Sequence, residues 1–137
     1  MAILDCFEIC VTVNGIALQE FDDPDYDNSH DHPEVVKYIK ATPGATFAIR
    51  GKTSSGLQFR DEDYYIGATI YLDSTKVANP VVTMEDYRRS NGQKTIYRNA
   101  MRTASASGWT AQKFKFGLLS TSRCIGHSVS SLIVPSR

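Results

Sequence analysis

Residues 63–73 read Asp-Tyr-Tyr-Ile-Gly-Ala-Thr-Ile-Tyr-Leu-Asp, and alternate positions of this run divide into two faces. One face carries Tyr64, Ile66, Ala68, Ile70 and Leu72 and is apolar throughout. The other carries Tyr65, Gly67, Thr69, Tyr71 and Asp73 and is mixed. Successive side chains of a strand point to opposite faces, so this pattern predicts one long strand with one side on a core. At ~3.3 Å per residue it would span roughly 30 Å, enough to cross a small sheet. A chain built around such a strand must supply partners for it.

The rest of the sequence supplies them. From Ile3 to Val13 the apolar residues Ile3, Phe7, Ile9, Val11 and Val13 share a side. Asn14-Gly15 follows, then the run 16–20. Asn-Gly between alternating runs predicts a type I′ hairpin, because both central residues need positive φ. Residues 21–34 hold two prolines, six acids and no periodicity, and are predicted as a solvated loop. Strands are expected over 35–41 and 46–50, joined by a turn at Pro43-Gly44. Residues 51–56 read as a loop and 57–60 as a short strand. Residues 77–82 read as an edge strand broken by Pro80. One helical turn is expected within 85–92, a strand over 95–101, and a small-residue linker over 103–108. Trp109 to Phe116 closes the fold, with Trp109 expected as a buried core anchor. These elements predict an all-β fold: an antiparallel β-sandwich, jelly-roll-like, of seven to nine strands with at most one short helix.

A chain of 137 residues fits one domain with a sound core. The division expected is a sandwich domain over 1–119 and a Ser-rich tail over 120–137. Hydrophobic residues make up 42% and charged residues 22%, with no apolar run of the length a membrane helix needs. The first residues lack the basic and apolar blocks of a secretory signal. Three cysteines argue against a disulfide framework. Together these place the chain inside the cell, with nucleus and cytoplasm equally compatible, and with no membrane association.

The residues named so far resemble an uncharacterised domain family of filamentous fungi, a domain of unknown function. The resemblance is carried by Gly15, Leu18, Glu20 and Phe21, by Tyr38, Ile39, Ala41, Gly44, Phe47 and Ile49, by residues 70–73, and by Trp109, Phe114 and Phe116. It covers about residues 3–118. Ser74 stands where that family usually has Gly after the strand-ending Asp. The resemblance implies a β-sandwich and supplies no catalytic residues.

Net charge is zero, yet residues 1–70 hold twelve acids against five bases and residues 71–137 three against ten, so the halves carry −7 and +7. The acidic pole centres on Asp22, Asp23, Asp25 and Asp27, with Tyr26 among them, a candidate partner-binding loop. The basic pole comprises Arg88, Arg89, Lys94, Arg98 and Arg102 with Tyr87, Tyr97 and Trp109, a candidate surface for nucleic acid. His30 and His32, with Asp31 and Glu34, come nearest to a metal site, but the spacing matches no known ligand set and no metal is expected. Gly51-Lys52-Thr53 fails as a phosphate loop, since Thr46 stands where its first Gly is needed. No nucleophile elbow is present, and Cys6 and Cys10 have no basic neighbour. The expectation is a non-enzymatic protein-interaction module without cofactor, binding a protein partner or a second copy. Nucleic-acid or chromatin-associated binding through residues 88–102 is the alternative. A small-molecule or metal-dependent enzyme on a β-barrel is the third reading.

Overall fold

A computed structural model describes residues 2–4, 7–27, 34–59 and 65–117. The strands, in chain order, are β1 (Ala2–Leu4), β2 (Phe7–Val13), β3 (Ile16–Ala17), β4 (Glu20–Asp22), β5 (Lys37–Ile39), β6 (Ala48–Thr53) and β7 (Tyr65–Gly67). There follow β8 (Ile70–Leu72), β9 (Thr75–Ala78), β10 (Val81–Thr83), the helix α1 (Met84–Arg89), β11 (Thr95–Arg98), β12 (Ala100–Ser105) and β13 (Gly108–Lys113). Every pairing is antiparallel. The main sheet runs β1-β2-β6-β11, with β3 also on β2, and the other described strands form four two-stranded sheets. The fold is all-β and sandwich-like with one short helix and no barrel. The described residues hold thirteen short strands rather than seven to nine, because several expected strands are split.

The core lies on β2 and β6. Phe7, Cys10, Val11, Ala48 and Ile49 are buried there, joined by Ile70, Val82 and Phe114. Two threonines are buried with them and are satisfied. Thr53 Oγ1 accepts from Lys94 N at 2.9 Å, and Thr12 Oγ1 donates to Ala48 O. Residues 51–53, expected in a loop, instead complete β6, with Thr53 opposite Phe7 and Gly51 opposite both Ile9 and Ile96. A Gly-Lys-Thr run has weak strand propensity, but pairing on both edges overrides it. Residues 57–59 form no strand.

The long strand over 63–73 is also divided. Its described part forms β7 and β8, which pair with β10 and β9 as the two halves of one hairpin. Pro80 lacks an N–H, so the ladder breaks opposite Ala68 and Thr69, where Ala68 N donates to Pro80 O at 2.9 Å. The expected Ile3–Val13 strand is likewise folded on itself, with Ala2 opposite Ile9 in β1 and β2. Residues 60–64 and the tail over 120–137 lie outside the described residues.

Two tight turns set the hairpins. Asn14 and Gly15 take φ 51° and 79°, joining β2 to β3 as the Asn-Gly pair predicts. Asp73 and Ser74 take φ 47° and 65° between Leu72 and Thr75, so the same type of turn is built without glycine. The left-handed region costs an L-residue about 1–2 kcal/mol. Part of this is offset in glycine by its greater freedom when unfolded. Ser74→Gly should therefore stabilise the chain by about 0.5–1 kcal/mol, read as a rise of a few degrees in melting temperature. No rise would mean that Ser74 carries no strain.

Candidate functional site

The acidic pole folds onto itself. Strand β4 pairs with β5, placing Asp22 opposite Lys37 and Phe21 opposite Tyr38. The Lys37 ammonium donates to the Asp22 carboxylate and holds its pKa below the ordinary value. Asp23 accepts from the Tyr38 hydroxyl at 2.9 Å and from Asp25 N at 3.0 Å. Tyr26 is half-buried and donates to Glu34 Oε2 at 2.8 Å, while Asp25 and Asp27 are exposed. Partial burial and the Glu34 carboxylate push the Tyr26 hydroxyl above its usual pKa, and the hydrogen bond to Asp23 does the same for Tyr38. The exposed aromatics of this region are thus Phe21 and Tyr38, which oppose each other across β4 and β5. His30 and His32 lie outside the described residues. Among the described residues no cluster of three or more metal-ligating side chains occurs.

The basic pole separates into two groups. Thr83 caps α1 by accepting from Asp86 N at 3.0 Å, and the helix has acids in its first turn and Arg88 and Arg89 in its last. Those acids offset the bases around them: Arg89 pairs with Glu85, and Lys94 lies 3.6 Å from Asp86. The Thr83 hydrogen bond and then the Lys94 charge depress the pKa of Asp86. Depressed carboxylates favour the folded state above their unfolded pKa, near 3.8, and that contribution is lost as pH falls through the lower folded values. An acid titration of the melting temperature should show a modest decline confined to the region below about pH 4. A decline beginning near pH 6 would contradict this assignment.

The second group is built by β11, β12 and β13. Arg98 and Arg102 line one shallow depression of ≈ 280 Å³ with Tyr97, Asn99 and Ala100, and with Val77 and Ala78 of β9. Tyr97 and Asn99 also line a second, of ≈ 140 Å³, which Lys113 borders. Tyr97 is exposed.

Strands β12 and β13 form a two-stranded ribbon, turning at Ala106-Ser107, where a small-residue linker was expected. The ribbon is rooted by Phe114, which is buried and sits 5.6 Å from the Phe47 ring, while Phe116 stacks on Phe47 at 4.4 Å. Beyond that root every residue of β13 is exposed. Trp109, expected in the core, is 75% exposed. Its cross-strand partner is Ala104, near the turn of the ribbon, and among the described residues none covers it.

Directly opposed residues of an antiparallel pair share a face. One face of the ribbon therefore carries Trp109, Ala111 and Lys113 against Ala104, Arg102 and Ala100. A tryptophan, an arginine and a lysine stand on it, spaced by alanines. No Asp or Glu occurs in the sequence after Asp86, against nine Lys and Arg. Lys113 and Lys115 thus belong with the basic surface, although sequence reasoning did not include them. Both already count among the ten bases of residues 71–137.

Residues 6–130 match a family described as a domain of unknown function, DUF7918. The chain belongs to this family. The match begins within the first hairpin region, takes in the whole ribbon, and extends past residue 119. No curated protein and no solved structure matches the chain. Among the described residues no helix is long and apolar enough to cross a membrane.

Proposed function

We propose that this chain is a non-enzymatic protein-interaction module whose partner-binding surface is the ribbon of β12 and β13 with the adjoining Tyr97, Arg98 and Arg102. The observation that carries the reading is Trp109, a large aromatic 75% exposed on a strand whose six residues are all exposed. Exposed aromatics and arginines are the residues that dominate binding energy when a partner covers them. The partner is a negatively charged protein segment, since the surface holds bases and no acids. Asp22, Asp23, Asp25, Tyr26 and Asp27 form the opposite pole, and it acts mainly by orienting the approach of partners. The buried thiol of Cys10 fits a reducing, intracellular setting, and the resemblance set by the turn and core residues fits a fungal source.

The chain holds a single tryptophan, so Trp109 emission reports directly on its own surface. Titrating acid-rich peptides should shift and enhance that emission, and the double reversal Arg98→Glu, Arg102→Glu should weaken binding about tenfold or more. Tighter binding of a single-stranded oligonucleotide, with affinity falling steeply in salt, would overturn the reading in favour of nucleic acid. No response to any acid-rich peptide would overturn it outright.

A further inference from the structure

The register of the ribbon says more about the partner than its charge does. Phe114 N donates to Asn99 O at 2.8 Å, which makes Ala100 and Lys113, the last pair of the ladder, a pair without hydrogen bonds of its own. In an antiparallel ladder such pairs alternate with pairs that exchange two. Counting back from Phe114 along the register, Gln112 and Thr110 point their N–H and C=O groups inward, at Met101 and Thr103. Trp109, Ala111 and Lys113 therefore point theirs to the outer edge of β13. No described residue pairs with that edge.

An open edge of this kind is a template for another strand, and proteins ordinarily blunt such edges with proline, a bulge, a cover or charged side chains. Strand β13 contains no proline, its one charge is Lys113 at the root end, and its six residues are exposed. The edge offers donors and acceptors in alternation. A phosphate backbone supplies acceptors only, whereas an extended peptide supplies both, so the edge suits a peptide better than a nucleic acid. A second copy pairing edge to edge about Ala111 would set Lys113 against Trp109 of its partner and bring no acid to the base, since β13 holds none. An acidic strand supplies that carboxylate.

We propose, resting on the interaction-module reading above, that the outer edge of β13 takes up an extended acidic peptide as an added strand. Trp109 and Lys113 share a face four residues apart. The added strand would then carry an apolar side chain against Trp109 and a carboxylate against Lys113, also four residues apart. Main-chain hydrogen bonds give such a complex its affinity, and the two side-chain positions give it its selectivity.

Hydrogen exchange on the full chain tests this, with an eight-residue peptide in which a Val and a Glu stand four residues apart, with Thr and Glu at the remaining positions, as the probe. On binding, the amides of Trp109, Ala111 and Lys113 should gain protection of tenfold or more, while those of Thr110 and Gln112, already in the ladder, should change little. Ala111→Pro removes one outward N–H and leaves the inward ladder whole, so it should weaken the peptide at least tenfold at an unchanged melting temperature. Because the exchange measurement uses the unmodified chain, the test stands even where the proline variant folds poorly. Peptide binding that shifts Trp109 emission without protecting the three outward amides would overturn strand addition and leave the interaction module intact. Absence of binding by the wild-type chain to this and every other acid-rich peptide would remove both. Concentration-dependent dimerisation that protects the same three amides without peptide would assign the edge to a second copy and overturn the acidic-peptide proposal.

Discussion

Replacing Phe114 with alanine should destabilise the chain by about 3–5 kcal/mol, the usual cost of removing a buried phenylalanine. Phe114 is 5% exposed, is packed 5.6 Å from Phe47, and accepts a hydrogen bond from Phe47 N at 3.1 Å. It is also the residue at which the ribbon meets the main body, since its own N–H donates to Asn99. The loss therefore has two parts, a cavity beside Phe47 and a loosened root for β12 and β13. A small domain has a total stability of only about 5–15 kcal/mol, so this variant should be close to the limit of folding at body temperature. Denaturant unfolding monitored by circular dichroism gives the number. A cost under about 1 kcal/mol would mean that the Phe47 cluster closes over the gap and that the ribbon is held by its ladder alone.

Trp109→Ala should behave in the opposite way. The side chain is largely in water and stands opposite Ala104 across the ribbon, so truncation should leave stability within about 0.5 kcal/mol. Its effect belongs to binding. Central aromatic anchors cost about 2 kcal/mol or more when truncated, close to thirtyfold in affinity. A fluorescently labelled acid-rich peptide, titrated against wild type and variant, measures the difference. The contrast between the two variants separates the root of the ribbon from its face. If Trp109→Ala lost several kcal/mol of stability, the indole would be packed against the body and the proposed surface would not exist.

What the sequence made legible was chemistry that acts locally. Asn14-Gly15 specifies its turn through two backbone angles, and the observed φ values are those the pair favours. The helical turn near Glu85 was legible as a polar run, and the structure adds an acid-first, base-last order that complements the helix dipole. The all-β class followed from repeated alternation. What failed depended on which strand lies beside which. Residues 51–53 join β6 because β2 and β11 flank them, and a Gly-Lys-Thr run carries no trace of that. The run at 63–73 is divided by Pro80, seven residues beyond its end, through a donor missing from the facing strand.

Trp109 is the most instructive case. Hydrophobic identity argues for burial, but a strand is buried only where a second layer covers it, and β9 packs against the base of the ribbon, not its turn end where Trp109 is exposed. The acidic residues err in the other direction. Asp22 and Asp23 read as open charges, yet β4 and β5 bring Lys37 and the Tyr38 hydroxyl to them. In both cases the residue types were visible and the pairing partner was not.

The central claim is that the one tryptophan of this chain stands in water on a projecting ribbon, and steady-state emission of Trp109 with acrylamide quenching addresses it without any variant. The account predicts an emission maximum close to that of free tryptophan in water and a quenching constant near that of the free amino acid. A blue-shifted emission that acrylamide barely quenches would place the indole in the core and contradict the account.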